Sequence, residues 1–85
     1  MKAFEYTIRD ELGIHARPAG LLAKEVKKYS SVCMIEKGGK SVKLNQLMML
    51  MSLGVKKGDV VKVTAEGADE DMAIAELEYF FNENL

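Results

Sequence analysis

At 85 residues the chain has room for one modest core and no separate catalytic domain, so residues 1–85 read as a single domain whose function lies on its surface. Lys plus Arg number 12 against 13 for Asp plus Glu, and the resulting net charge of −1 lacks the basic footprint of a nucleic-acid or polyanion binder. The lone cysteine, Cys33, excludes an internal disulfide, and with the lone histidine, His15, it falls short of a four-ligand zinc site, so no metal and no cofactor is expected.

The first segment alternates, with Phe4, Tyr6 and Ile8 on one face and Glu5 and Thr7 on the other, which predicts a strand. That alternation leaves no long apolar run from Met1 to Ile8, so neither a signal peptide nor a transmembrane span is expected, and the protein is read as soluble and cytoplasmic. A loop follows from Arg9 to Ile14. Ala19, Leu22, Ala23 and Val26 then recur at helical spacing and predict a helix from Ala16 to about Tyr29, with Lys24, Lys27 and Lys28 crowding the end where cations suit the helix dipole. Gly20 lies inside this helix at a cost of roughly 1 kcal/mol relative to Ala. It reads equally as a point of close backbone approach and as a tolerated weakness.

Val32 to Glu36 and Lys40 to Leu44 read as short antiparallel strands joined through Lys37-Gly38-Gly39, whose glycines permit a tight hairpin. Cys33 falls on the packed side of the alternation and reads as a core residue rather than a reactive thiol. Leu47 to Leu53 is an apolar stretch closed by Gly54, and about two helical turns with a glycine C-cap fit it. Gln46 is a poor N-cap, so Asn45 is expected to cap that helix one residue earlier. A strand from Val60 to Ala65 follows, and then a helix from Ala68 to Phe81. Asp69, Glu70 and Asp71 stand at the start of that helix, and Ala73, Ile74, Leu77 and Phe81 recur at helical spacing. The order β-α-β-β-α-β-α implies an α+β two-layer domain with a mostly antiparallel sheet and helices on one face, and leaves the strand order open.

His15 lies in Gly13-Ile14-His15-Ala16-Arg17-Pro18-Ala19. Pro18 tolerates the first turn of a helix, where its missing N–H costs nothing, so a helix is expected to begin beside the imidazole. The unpartnered N–H groups and the partial positive charge of a helix start suit an anion carried on the ring, and Arg17 adds a permanent cation. A solitary histidine is more often an ordinary surface residue. The flanking Gly, Arg and Pro are what favour a phosphoryl-bearing one.

Gly-Ile-His-Ala-Arg-Pro-Ala at 13–19, together with Met51-Ser52-Leu53-Gly54 after the apolar stretch, resembles the HPr family of histidine-containing phosphocarriers, and the resemblance spans essentially the whole chain. It implies an open-faced β-sandwich with a four-stranded antiparallel sheet and three helices on one face. It also implies that His15 takes a phosphoryl group on Nδ1 from phosphorylated enzyme I and passes it to the IIA component of a sugar transporter. By the same resemblance Arg17 offsets charge on the transferring group, and the Ala16 and Arg17 N–H groups hold phosphate oxygens. Gly20, Leu21, Leu47, Met48 and Met51 match the family's docking face. On spacing, Leu50 is expected in the core and Met48 outside it, with Met49 undecided.

Gln46 departs from the family, because relatives in low-GC Gram-positive bacteria carry a kinase-regulated serine at that position. Glutamine has no hydroxyl to phosphorylate, and Ser41 and Ser52 read as structural or solvated residues. Control by serine phosphorylation is therefore not expected. A site that meets two proteins in turn suits an accessible monomer. A regulatory binding module on the same surface, or a carrier in a dedicated non-sugar phosphotransferase chain, is the alternative.

Overall fold

Alternating burial organises the sheet. In the computed structural model, which describes residues 1–85, β1 (Lys2–Thr7), β2 (Val32–Lys37), β3 (Lys40–Lys43) and β4 (Val60–Glu66) pair antiparallel in the order β1-β4-β2-β3. Register places Phe4, Val63, Ile35 and Val42 in one row across all four strands, on the face that turns inward. The next row, Glu5, Lys62, Glu36 and Ser41, faces solvent and alternates charge across neighbouring strands. A one-sided apolar sheet of this kind must be covered once, and helices α1 (Ala16–Val26), α2 (Leu47–Ser52) and α3 (Glu70–Asn84) cover it. This is the open-faced sandwich with element order β-α-β-β-α-β-α.

Phe81 centres the core. It is fully buried, with its ring edge-to-face to Phe4 at 5.6 Å and to Tyr6 at 5.5 Å between centroids, which fixes α3 against β1. Gly38 and Gly39 adopt φ of +58° and +82°, the left-handed pair that a two-residue hairpin between twisted strands requires. Cys33 is buried in β2, and burial pushes its thiol pKa up, with the Asp69 carboxylate adding to the effect.

The boundaries of α1 and α3 differ from the sequence expectation, and α2 stops at Ser52, one residue short of Leu53. The first helix stops at Val26 rather than Tyr29, because Lys28 and Tyr29 donate to Glu25 and Val26 carbonyls three residues back and the chain turns away. Tyr29 leaves the helical line to donate its hydroxyl between Glu25 (2.5 Å) and Glu76 (3.2 Å), which ties the end of α1 to α3. The last helix begins at Glu70 rather than Ala68, because the Asp69 carboxylate accepts from the Ser30 N–H, the Ser31 N–H and the Ser31 hydroxyl. It runs on past Phe81 to Asn84. Just beyond it, the Leu85 main-chain oxygen accepts from the Arg9 and Asp10 N–H groups at 2.6 and 2.8 Å.

Asn45 does not cap α2. Gln46 N–H donates to the Lys43 carbonyl in a turn that contains Asn45, so the capping position falls on Gln46, with no side-chain bond. At Gly20 a Cβ built on the backbone meets nothing within 4 Å, so no backbone approaches it and the glycine is a local weakness in the free protein.

Candidate functional site

The loop before α1 is held so that His15 can only be the N-cap. Gly13 has φ +63° and packs directly on the Val55-Lys56 backbone, where any Cβ would sit 2.7 Å from Lys56 Cα and overlap the Val55 carbonyl. Gly13 N–H donates to Asp10 at 3.0 Å, and Ile14 N–H donates to the Val55 carbonyl at 3.1 Å, with the Ile14 side chain buried. His15 then takes an extended conformation, φ −95° and ψ −173°, and its carbonyl accepts the first helical bond from Ala19 at 3.0 Å.

The His15 imidazole makes no capping bond and is partly exposed. Pro18 occupies the third helical position and is buried with Ala19, so of the first three helical residues only Ala16 and Arg17 offer an N–H. Both residues are exposed. No acidic side chain stands in the first turn to occupy these donors. Arg17 forms no ion pair within 4.0 Å, so its guanidinium is free to meet an incoming anion.

His15, Arg17, Pro18 and Leu21 form one side of a depression of about 170 Å³, and Asp10, Glu83 and Asn84 form the other. Neither Glu83 nor Asn84 carries a local signal connecting it to His15; the run of α3 past Phe81 brings them there. Asp10 is pinned by accepting from the Leu12 N–H at 2.8 Å. A cluster of three or more metal-ligating side chains is absent from the structure, and no helix is long and apolar enough to cross a membrane.

The second half of the expected surface lies alongside. Helix α2 packs on α1 and buries Leu50 and the following Leu53, while Leu47, Met48 and Met51 stay exposed, as does Leu21 of α1. Met49, undecided in the sequence, is 48% exposed and extends this patch. Ser52 donates its hydroxyl back to the Met48 and Met49 carbonyls, a structural use of the side chain. Lys37 clamps the far end, donating to the Gly54 carbonyl at 2.7 Å and pairing with Asp59 at 2.9 Å.

The family model for PTS-HPr, described as the PTS HPr component phosphorylation site, matches residues 2–83. The chain belongs to the HPr family. A curated phosphocarrier protein HPr from Mycoplasma genitalium is 38% identical over 85 residues, covering 99% of this chain and 97% of its own. Among solved structures, the Mycoplasma histidine-containing phosphocarrier protein superimposes with a TM-score of 0.92 at 35% identity, over 96% of this chain and 93% of that one. HPr-C-His from Thermoanaerobacter tengcongensis gives 0.87 at 44% identity over the whole of both chains, and HPr from the same organism also occurs as a dimer (0.77, 42%, covering 98% and 95%). Membership of the HPr family makes the chain a phosphocarrier of the phosphotransferase system rather than an enzyme, and the shared fold is the open-faced sandwich described above.

Proposed function

We propose that the phosphoryl group rides on His15, which takes it from phosphorylated enzyme I and hands it to the IIA component of a sugar transporter. The observation that carries this reading is a partly exposed imidazole with no intramolecular partner, at the N-cap of α1 beside an unpaired Arg17. In the transfer the Nδ1 lone pair attacks phosphorus while the bond from phosphorus to the donor breaks. The Ala16 and Arg17 N–H groups and the positive end of α1 receive the phosphate oxygens, and the Arg17 guanidinium offsets the remaining charge. Phosphoryl transfer asks for alignment and charge stabilisation more than for acid–base chemistry, which suits a surface site with no further catalytic group.

Both protein partners dock on Gly20, Leu21, Leu47, Met48 and Met51 in this reading, with Met49 at the rim. Methionine side chains repack easily, which fits a surface that meets two different proteins in succession. The carrier acts as a cytoplasmic monomer. Gln46 removes the hydroxyl that a serine kinase would use, so a kinase active on relatives leaves this protein unmodified and Gln46→Ser gains a site.

Incubation with phosphoenolpyruvate and a general enzyme I tests the proposal. One acid-labile, alkali-stable phosphoryl group is expected by mass spectrometry, and none on His15→Ala. No uptake under conditions that charge a known HPr contradicts the carrier reading. Equal recovery of a regulator by wild type and His15→Ala would favour the binding-module alternative.

A further inference from the structure

We propose that the methionines of α2, Met48 foremost, form an oxidation site through which peroxide switches off phosphotransfer; this rests on the docking surface proposed above. Of the chain's six methionines, three fall within the six residues of α2. A helix advances about 100° per residue, so with Leu50 buried and Leu53 following on the same side, Met48 points almost directly away from the core. The exposures agree: Met48 is 79% exposed, Met49 48% and Met51 40%, against none for Leu50. Leu21 is exposed on α1, the helix against which α2 packs, and also forms part of the depression that holds His15. A protein that docks on the proposed surface to reach His15 covers the thioethers as well.

The chemistry is a two-electron oxygen transfer. Hydrogen peroxide gives one oxygen atom to the thioether sulfur, which becomes the sulfoxide, and leaves as water. A flexible apolar contact is thereby replaced by a strongly polar S–O group that must be desolvated whenever a partner docks. The fold itself is spared, because Met48 contributes nothing to the buried core. Cys33 does not compete for the oxidant: its thiol is buried and held in the protonated form, whereas peroxide attacks thiolate. Met72, 47% exposed on α3 and outside both the depression and the patch, is an internal control for oxidation that has no consequence.

The full chain, with and without brief hydrogen peroxide treatment, is mapped by peptide mass spectrometry and assayed for its initial rate of phosphoryl uptake from phosphoenolpyruvate and enzyme I. Expected are sulfoxide at Met48 before the half-buried Met34, an unchanged far-ultraviolet circular dichroism spectrum, and a fall in rate of about tenfold. Treatment with the two epimer-specific methionine sulfoxide reductases restores the rate. Each variant is compared with its own untreated rate: Met72→Leu remains peroxide-sensitive, and Met48→Leu/Met49→Leu/Met51→Leu loses the sensitivity. Normal uptake by untreated protein together with equal uptake by protein carrying sulfoxide at Met48 overturns this inference alone. No uptake by untreated protein overturns the carrier reading and this inference with it.

Discussion

The Ile14 N–H donates to the Val55 carbonyl at 3.1 Å, and this bond fastens the residue preceding His15 to the segment that enters β4. Gly13 makes the approach possible, with φ +63° and no side chain to strike the Val55-Lys56 backbone. Gly13→Ala is therefore expected to lower stability by about 2–4 kcal/mol, combining left-handed strain with a backbone clash. Gly54→Ala carries only the strain, about 1 kcal/mol, because nothing lies within 4 Å of a Cβ there. Urea denaturation of both variants separates the two effects, and equal losses would contradict the packing argument.

Arg17 offers the opposite combination, a side chain with a proposed function and no structural employment. Its guanidinium makes no ion pair, so Arg17→Ala should leave the unfolding free energy within about 0.5 kcal/mol of wild type. The rate of phosphoryl uptake should fall roughly 100-fold or more, the scale associated with removing a charge-stabilising donor. Arg17→Lys should recover part of that loss, since it keeps the charge without the planar fork. Parallel denaturation and stopped-flow transfer measurements check both halves; a destabilised Arg17→Ala would show that the side chain also supports the fold.

Gly20 gives a prediction in which stability and function part company. With open space around its Cβ position inside α1, Gly20→Ala should stabilise the free protein by about 0.5–1 kcal/mol, or roughly 4 °C in Tm. If a partner's surface uses that space, the stabilised variant transfers more slowly. Calorimetry alongside transfer kinetics decides, and a lower Tm would mean that the Cβ is not accommodated.

Asp69 predicts an acid-sensitive contact remote from His15. Its carboxyl pKa is held below the ordinary 3.8, first by the Ser31 hydroxyl and then by the Ser30 N–H. A depressed folded-state pKa means that the contribution is fully present above the unfolded value near 3.8 and is lost as pH falls through the lower folded value. Asp69→Asn should therefore lower stability at neutral pH and narrow its difference from wild type below the carboxylate range. Urea midpoints at pH 7 and in steps down to strongly acid pH provide the measurement, and a difference that stays constant with pH would exclude the linkage.

Signals carried by a few consecutive residues are legible in the sequence alone. The alternation around Phe4 and Tyr6, the helical recurrence of Ala19, Leu22 and Val26, the Gly38-Gly39 turn and the helix start beside His15 all rest on local geometry, where side-chain period and backbone sterics decide. Exposure of Met48 and burial of Leu50 follow from the same periodicity. The Asn45 expectation fails for a related reason: capping preference is a small energy, and the turn through Lys43 and Gln46 overrides it. Met49 stands at the margin of the apolar stripe, where period alone does not separate core from rim.

Tertiary structure decided what depends on residues far apart in the chain. Strand order β1-β4-β2-β3 comes from cross-strand packing such as Phe4 against Val63, to which no local signal points. Tyr29 leaves the helical line to reach Glu76, and Asp69 delays α3 by holding Ser31, so both helix ends shift. Glu83 and Asn84 face His15 only because α3 continues past Phe81 and the Leu85 oxygen is bound by Arg9 and Asp10. By itself the sequence singled out His15 as the proposed phosphoryl carrier, because the chain has one histidine and it stands at a helix start. What surrounds that histidine was settled by long-range contacts, whose energies exceed the local preferences that a single sequence displays.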